Sequence, residues 1–233
     1  MSRAAVDRIA VIALNTFRES MRSKVLYSLF FFAVVLILAS AFFGSVSIGD
    51  QVKVIKDFGL FSVSFLGVCY VVISGASLLH KELARKTVYN ILGKAVSRWE
   101  FLFGKFLGLV MAALTMMLCM AAGLVLFVSF FDKGISIPFL VAFSFIALEL
   151  ILICASAIFF SAIVVTPLLI GLFTFSFFLA GRSVSLILYL VDQKFVEGFG
   201  ASLLKGIYYI LPHFDALNVT QQAVFDEVVA PSQ

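Results

Sequence analysis

Glu149 is the one charged residue in a stretch of 48, from 134 to 181. A carboxyl in such a run is expensive to desolvate. It marks a translocation path, a seam between subunits, or a neutral acid hydrogen-bonded to a nearby serine or carbonyl. Because a carboxyl in hydrocarbon is unfavourable, Glu149→Leu is expected to be at least as stable as the unaltered chain, and Glu149→Gln to change transport without loss of insertion. Other groups suited to chemistry are few. Cys69, Cys119 and Cys154 each sit in apolar runs, with no CxxC and no Cys/His spacing, and behave as small hydrophobes. His80 and His213 form no set with them, so neither a metal site nor a catalytic residue is expected. ATP needs a loop of the form GxxxxGK[ST], which the chain lacks; Gly44 to Gly49 has glycine spacing without the lysine and reads as a loop.

The elements that must place Glu149 follow from composition. Hydrophobic residues make up 63% of the 233 and charged ones 13%, with 28 Phe, which leaves too little polar surface for a water-soluble fold. The expected class is an all-α integral membrane protein, a single transmembrane domain over 1–233. Uncharged runs bracketed by Lys24 and Asp50, Asp57 and His80, and Lys105 and Asp132 are each long enough to cross the hydrocarbon, which takes roughly 20 residues. The long run around Glu149 is broken at Thr166-Pro167 and reads as a hairpin. Five spans are therefore predicted, at about 25–46, 58–79, 104–131, 138–164 and 166–182.

Lys and Arg number five in residues 1–24 and six in 80–105, against two in 47–57 and one in 132–137. This bias orients the expected multi-pass chain with its N-terminus and residues 80–102 cytoplasmic and 47–57 outside; with five spans it places 183–233 outside, with Arg182 at the outer rim of the fifth span. In that outer segment Ser185–Val191 and Leu203–Leu211 are too short to cross and read as interfacial helices, anchored in part by Tyr208 and Tyr209. The net charge of +4 follows from these membrane flanks, and nucleic acid is not an expected partner.

Residues 5–23 read as an amphipathic helix. Val6, Ile9, Ala10, Ala13, Phe17 and Met21 recur on one side, and Arg8, Asn15, Arg18, Glu19 and Arg22 on the other. Such a helix is expected to lie flat on the inner leaflet of the lipid bilayer, cations toward anionic headgroups. The segment 80–102 is longer than a connector needs to be and carries charges of both signs, which suits docking to another protein. Ser97 and Glu100 have capping-box spacing for the third span. Gly104 and Gly108 form a GxxxG run that allows close helix packing, within the chain or across a dimer.

Certain motifs bear a resemblance in kind and order: Asn15-Thr16-Phe17-Arg18-Glu19, Asp57-Phe58-Gly59-Leu60, Lys81-Glu82, Thr87, Leu92-Gly93-Lys94-Ala95-Val96-Ser97-Arg98 and Phe103-Gly104-Lys105-Phe106-Leu107-Gly108. Together they resemble the permease subunits of type-2 ABC exporters, in particular the small bacterial group that includes the nitrous-oxide-reductase maturation permease. Ala95 stands where that family usually has proline. The resemblance implies a multi-pass subunit of the bacterial inner membrane that pairs with a second permease copy, as a homodimer, and with two copies of an ABC ATPase. It also implies that the segment 80–102 docks on the ATPase through Glu82, Arg85, Thr87 and Arg98. The cofactors of the reaction, ATP and Mg, would be bound by that partner and none by this chain, which is not itself an enzyme.

Leu211-Pro212-His213-Phe214 resembles the element that precedes a sixth span in the family. No sixth apolar run follows it, and the preferred reading is a truncated chain rather than a natural five-span variant. Two other classes share the spans: a secondary transporter, which would show inverted repeats and paired broken helices, and a non-transporting assembly factor, which would bind no ATPase.

Overall fold

In the computed structural model of the chain the apolar runs are helices, the form in which a segment in hydrocarbon satisfies its own backbone hydrogen bonds. The structure describes residues 3–46, 51–84, 97–131 and 136–184, together with 189, 206, 208, 209 and 214; the side chains described are 5–44, 51–78 and those from 97 onward within these ranges. Among the described residues the long elements are six helices: α1 (Arg3–Met21), α2 (Lys24–Val46), α3 (Gln51–Ala84), α4 (Arg98–Ser129), α5 (Ile137–Ile163) and α6 (Pro167–Arg182). There is no strand among the described residues. By length and apolarity α2, α3, α4 and α5 can each cross a membrane, so the chain is an all-helical protein of the multi-pass membrane type.

The expected spans at 25–46 and 138–164 match α2 and α5 closely. The one at 58–79 lies inside the longer α3, and the one at 104–131 begins six residues into α4 and ends two beyond it. Sixteen residues give α6 a length of about 24 Å, short of the roughly 30 Å hydrocarbon thickness. The Thr166-Pro167 break is as expected: Val164 and Thr166 are extended, and Pro167, whose missing N–H costs nothing there, opens α6.

Close glycine contacts give the register of the bundle. Gly59 faces Leu124 and Gly75 faces both Leu109 and Ala157, while Gly67 faces Leu150. Helix α3 therefore runs antiparallel to α4 and parallel to α5, and it is the most enclosed of the four long apolar helices. Gly171 of α6 lies against Val72 and Ala76 of α3, so α6 starts near one end of the bundle and runs back along α5.

Helix α1 forms where the periodicity predicts, but its setting differs from the flat surface helix. Arg8 meets Glu100, Gly104 lies against Ile12 and Gly108 against Thr16, a constant offset that makes α1 parallel to the first turns of α4. A helix parallel to a spanning helix does not lie across it. The buried face is Ala5, Ile9, Ala13, Thr16 and Ser20, whereas Val6, Val11 and Leu14 are exposed. Close approach to Gly104 and Gly108 selects the narrow ridge of α1 rather than its most apolar one. At 32 residues α4 is about 48 Å long, some 18 Å more than the hydrocarbon requires, and α1 accompanies it along its N-terminal part.

Candidate functional site

Three helices converge on Glu149, which lies half-way along α5 and is 1% exposed. From α3 the Ser64 hydroxyl donates to Oε2 at 2.9 Å, and from the end of α6 Arg182 donates through Nη1 to Oε1 at 2.5 Å. The Arg182 side chain keeps a quarter of its surface exposed, against 2% for Glu149. One oxygen thus receives a neutral donor and the other a cation, which is the pairing a buried carboxylate requires. The flanking positions are small or apolar: Gly67 admits Leu150, and Leu150 and Ile153 are fully buried.

This geometry changes two expectations. Arg182 does end α6, but it ends level with the middle of α5 rather than at an outer rim, because α6 is too short to reach further. The expected stability of Glu149→Leu is reversed in sign, since the substitution would leave a guanidinium, which cannot lose its proton, beside leucine. The partner of Glu149 was invisible in the sequence because Arg182 lies 33 residues away, past a helix break. In this chain Glu149 is enclosed by α3, α5 and α6, so it joins those helices to one another.

A second polar cluster sits where α1 meets α4. Ser97 and Glu100 form the expected capping box: the Glu100 N–H donates to Ser97 Oγ at 3.2 Å and the Ser97 N–H to Glu100 Oε2 at 3.3 Å. The same carboxylate takes both Nε and Nη2 of Arg8, at 3.0 and 2.9 Å. Hydrogen bonding to Glu100 raises the Arg8 guanidinium above its ordinary value, and hydrogen bonding to Arg8 lowers the Glu100 carboxyl below its own. The sequence marks Glu100 as a cap and as part of a polar segment suited to docking; its role in fastening α1 is not legible in local spacing. Glu100→Ala removes the cap and the tether together, whereas Arg8→Ala removes the tether alone. Hydrogen exchange in α1 is expected to rise in both variants, and exchange in the first turn of α4 only in Glu100→Ala. Equal exchange in that turn for the two variants would show that the box contributes nothing.

The residues expected to couple to an ATPase are placed as follows. Arg98 is the exposed first residue of α4. Glu82 falls in the last turns of α3, with a side chain outside those described, and Arg85 and Thr87 lie outside the described residues, as does most of 80–102. Gly104 and Gly108 are both buried and both serve packing within the chain, against α1. Of the segment 183–233, expected to lie outside, the structure describes few residues; the two interfacial helices expected there lie almost wholly outside the described residues. Phe214 is buried, with its ring 5.9 Å from that of Phe177 and 6.4 Å from that of Phe178, so this part of the segment rests on α6.

Among the described residues no group of His, Cys, Asp and Glu could hold a metal ion. The three cysteines are free thiols on separate helix positions. No protein-family model matches the chain, and no curated protein matches it.

Proposed function

We propose that this chain is the transmembrane permease subunit of an ATP-driven exporter of the type-2 architecture, working as a homodimer in a bacterial inner membrane with two soluble ATPase subunits on the cytoplasmic face. The observation that most supports this reading is the joined platform at one end of the bundle. Helix α3 continues to Ala84, well past its most apolar stretch, and α4 opens on a capped, charged turn whose Glu100 also fastens α1. The polar segment 85–96 joins those two helix ends in sequence, so a partner bound to it is linked to α3 and α4 and, through Glu100, to α1. A push on it is passed to α1, α3 and α4 together, and so to the spans.

In this scheme ATP and Mg are bound by the partner, and closure of the two ATPases shifts the platform. Tilting of α3 against α5 would then act on the joint made by Ser64, Glu149 and Arg182, which links the two helices to α6. That joint also favours a second reading, a secondary transporter, since intramembrane ion pairs mark ion pathways. Recovery of an ATPase subunit with the purified chain separates the two.

The test is a pull-down of the ATPase with detergent-solubilised variants. Glu82→Arg is expected to release or uncouple the ATPase while the chain still inserts and elutes as the unaltered protein does. Losing one partner of a buried charge contact costs roughly 2–5 kcal/mol, about 30-fold or more in affinity. Normal ATPase recovery with normal coupled hydrolysis would remove Glu82 from the contact.

A further inference from the structure

The turn between α1 and α2 forms an open groove of about 770 Å³ lined by Arg18, Arg22 and Lys24, with Asn15 and Ser23 as further hydrogen-bonding groups and Glu19 as the one acid. All three cations are exposed, and among the described residues none of them has a carboxylate partner. Three cations against one acid leave an excess of positive charge in a concave site, which suits a phosphate-bearing anion.

What lies next to the groove decides the source of that anion. One turn along α2 an apolar stripe begins: Tyr27, Phe31, Val35, Leu38 and Phe42 recur at steps of three or four and are all exposed. Helix α2 is the least covered of the four candidate spans. A free phosphate would use the cations and leave the stripe bare, whereas an anionic phospholipid would use both. Its headgroup would meet Arg18, Arg22 and Lys24 while its acyl chains follow Phe31 and Leu38 into the hydrocarbon.

We propose that the α1–α2 turn is a binding site for an anionic phospholipid of the adjacent leaflet, held by its phosphate at Arg18, Arg22 and Lys24 and by its chains along α2. The site fixes the junction at which α1, packed on α4, passes into the first span. It needs no knowledge of what the protein transports.

The experiment is native mass spectrometry of the whole chain released from detergent, with phosphatidylglycerol, phosphatidylcholine or inorganic phosphate added. Phosphatidylglycerol is expected to be retained about tenfold more than phosphatidylcholine. Each of Arg18→Gln, Arg22→Gln and Lys24→Gln should weaken retention about fivefold, the effect of one surface cation on an anionic headgroup. The Lys53→Gln variant, changed at the other end of the α2–α3 pair, should retain the lipid. Equal retention of the two lipids by the unaltered chain overturns the proposal without recourse to any variant. So does displacement of phosphatidylglycerol by equimolar inorganic phosphate, which would make the site one for a free anion. Undiminished retention in all three Gln variants overturns it as well, and Arg18→Lys, which keeps the charge, should bind if the folded site is intact.

Discussion

Glu149→Leu is expected to destabilise the bundle by about 3–5 kcal/mol, because it leaves the Arg182 guanidinium without its carboxylate inside the protein. The double variant Glu149→Leu/Arg182→Leu should recover most of that loss. Replacing a buried ion pair by apolar side chains of similar volume is often neutral, while breaking one by removing a single partner is not. Glu149→Gln should fall between them, since its amide oxygen still accepts a hydrogen bond from Ser64 or Arg182. The quantity to follow is the temperature at which detergent-solubilised protein leaves its monodisperse size-exclusion peak. The ordering unaltered chain, double variant, Glu149→Gln and then Glu149→Leu is the expected result. A Glu149→Leu protein as stable as the unaltered one would mean that Arg182 finds water or another partner at no cost, and that the pair does not hold α6 in place.

Gly108→Leu is expected to detach α1 from α4. Even a Cβ at this position would stand 2.5 Å from Thr16 Cβ and 2.6 Å from the Ala13 carbonyl oxygen, and backbone does not yield as a flexible side chain does. Overpacking of this kind costs typically about 1–3 kcal/mol even for smaller insertions, and a leucine cannot be housed without moving the helix. Gly104→Leu should act in the same way, since its Cβ would meet Ile12 at 2.8 Å and the Ile9 carbonyl oxygen at 3.2 Å. Gly123, in the same helix, has nothing within 4 Å of the corresponding point, so Gly123→Ala is expected to be neutral or to gain up to about 1 kcal/mol from helix propensity. Hydrogen exchange in α1 reads its attachment with the Arg8–Glu100 tether left in place: it should be unchanged in Gly123→Ala and raised in Gly108→Leu. Unchanged exchange in Gly108→Leu would show that α1 is held mainly by its other contacts.

Some of the site was open to reading from single residues. The isolated carboxyl of Glu149 stood out because any charge does in an apolar run, and the Ser97/Glu100 spacing named a capping box because both partners lie within one helical turn. The GxxxG at Gly104 and Gly108 announced a close approach without naming what approaches. Arg182 looked like a rim residue because a run that ends at a charge normally ends at water. Here it ends at another buried charge, and α6 is too short for the rim.

The positions of the helices, their starts at Ser97 and Pro167, and the multi-pass membrane character were determined by the sequence alone. Each depends on length, apolarity and hydrogen bonds that close within a few residues. The tertiary structure decided which face of α1 is buried, that Gly104 and Gly108 receive α1, and that Glu149 is joined to Ser64 and Arg182. Those contacts bridge 92, 85 and 33 residues for Arg8–Glu100, Ser64–Glu149 and Arg182–Glu149 respectively. In an apolar chain nearly every helix face is hydrophobic, so periodicity cannot choose between neighbours. The choice falls to steric fit at small residues and to the need of each buried charge for a partner.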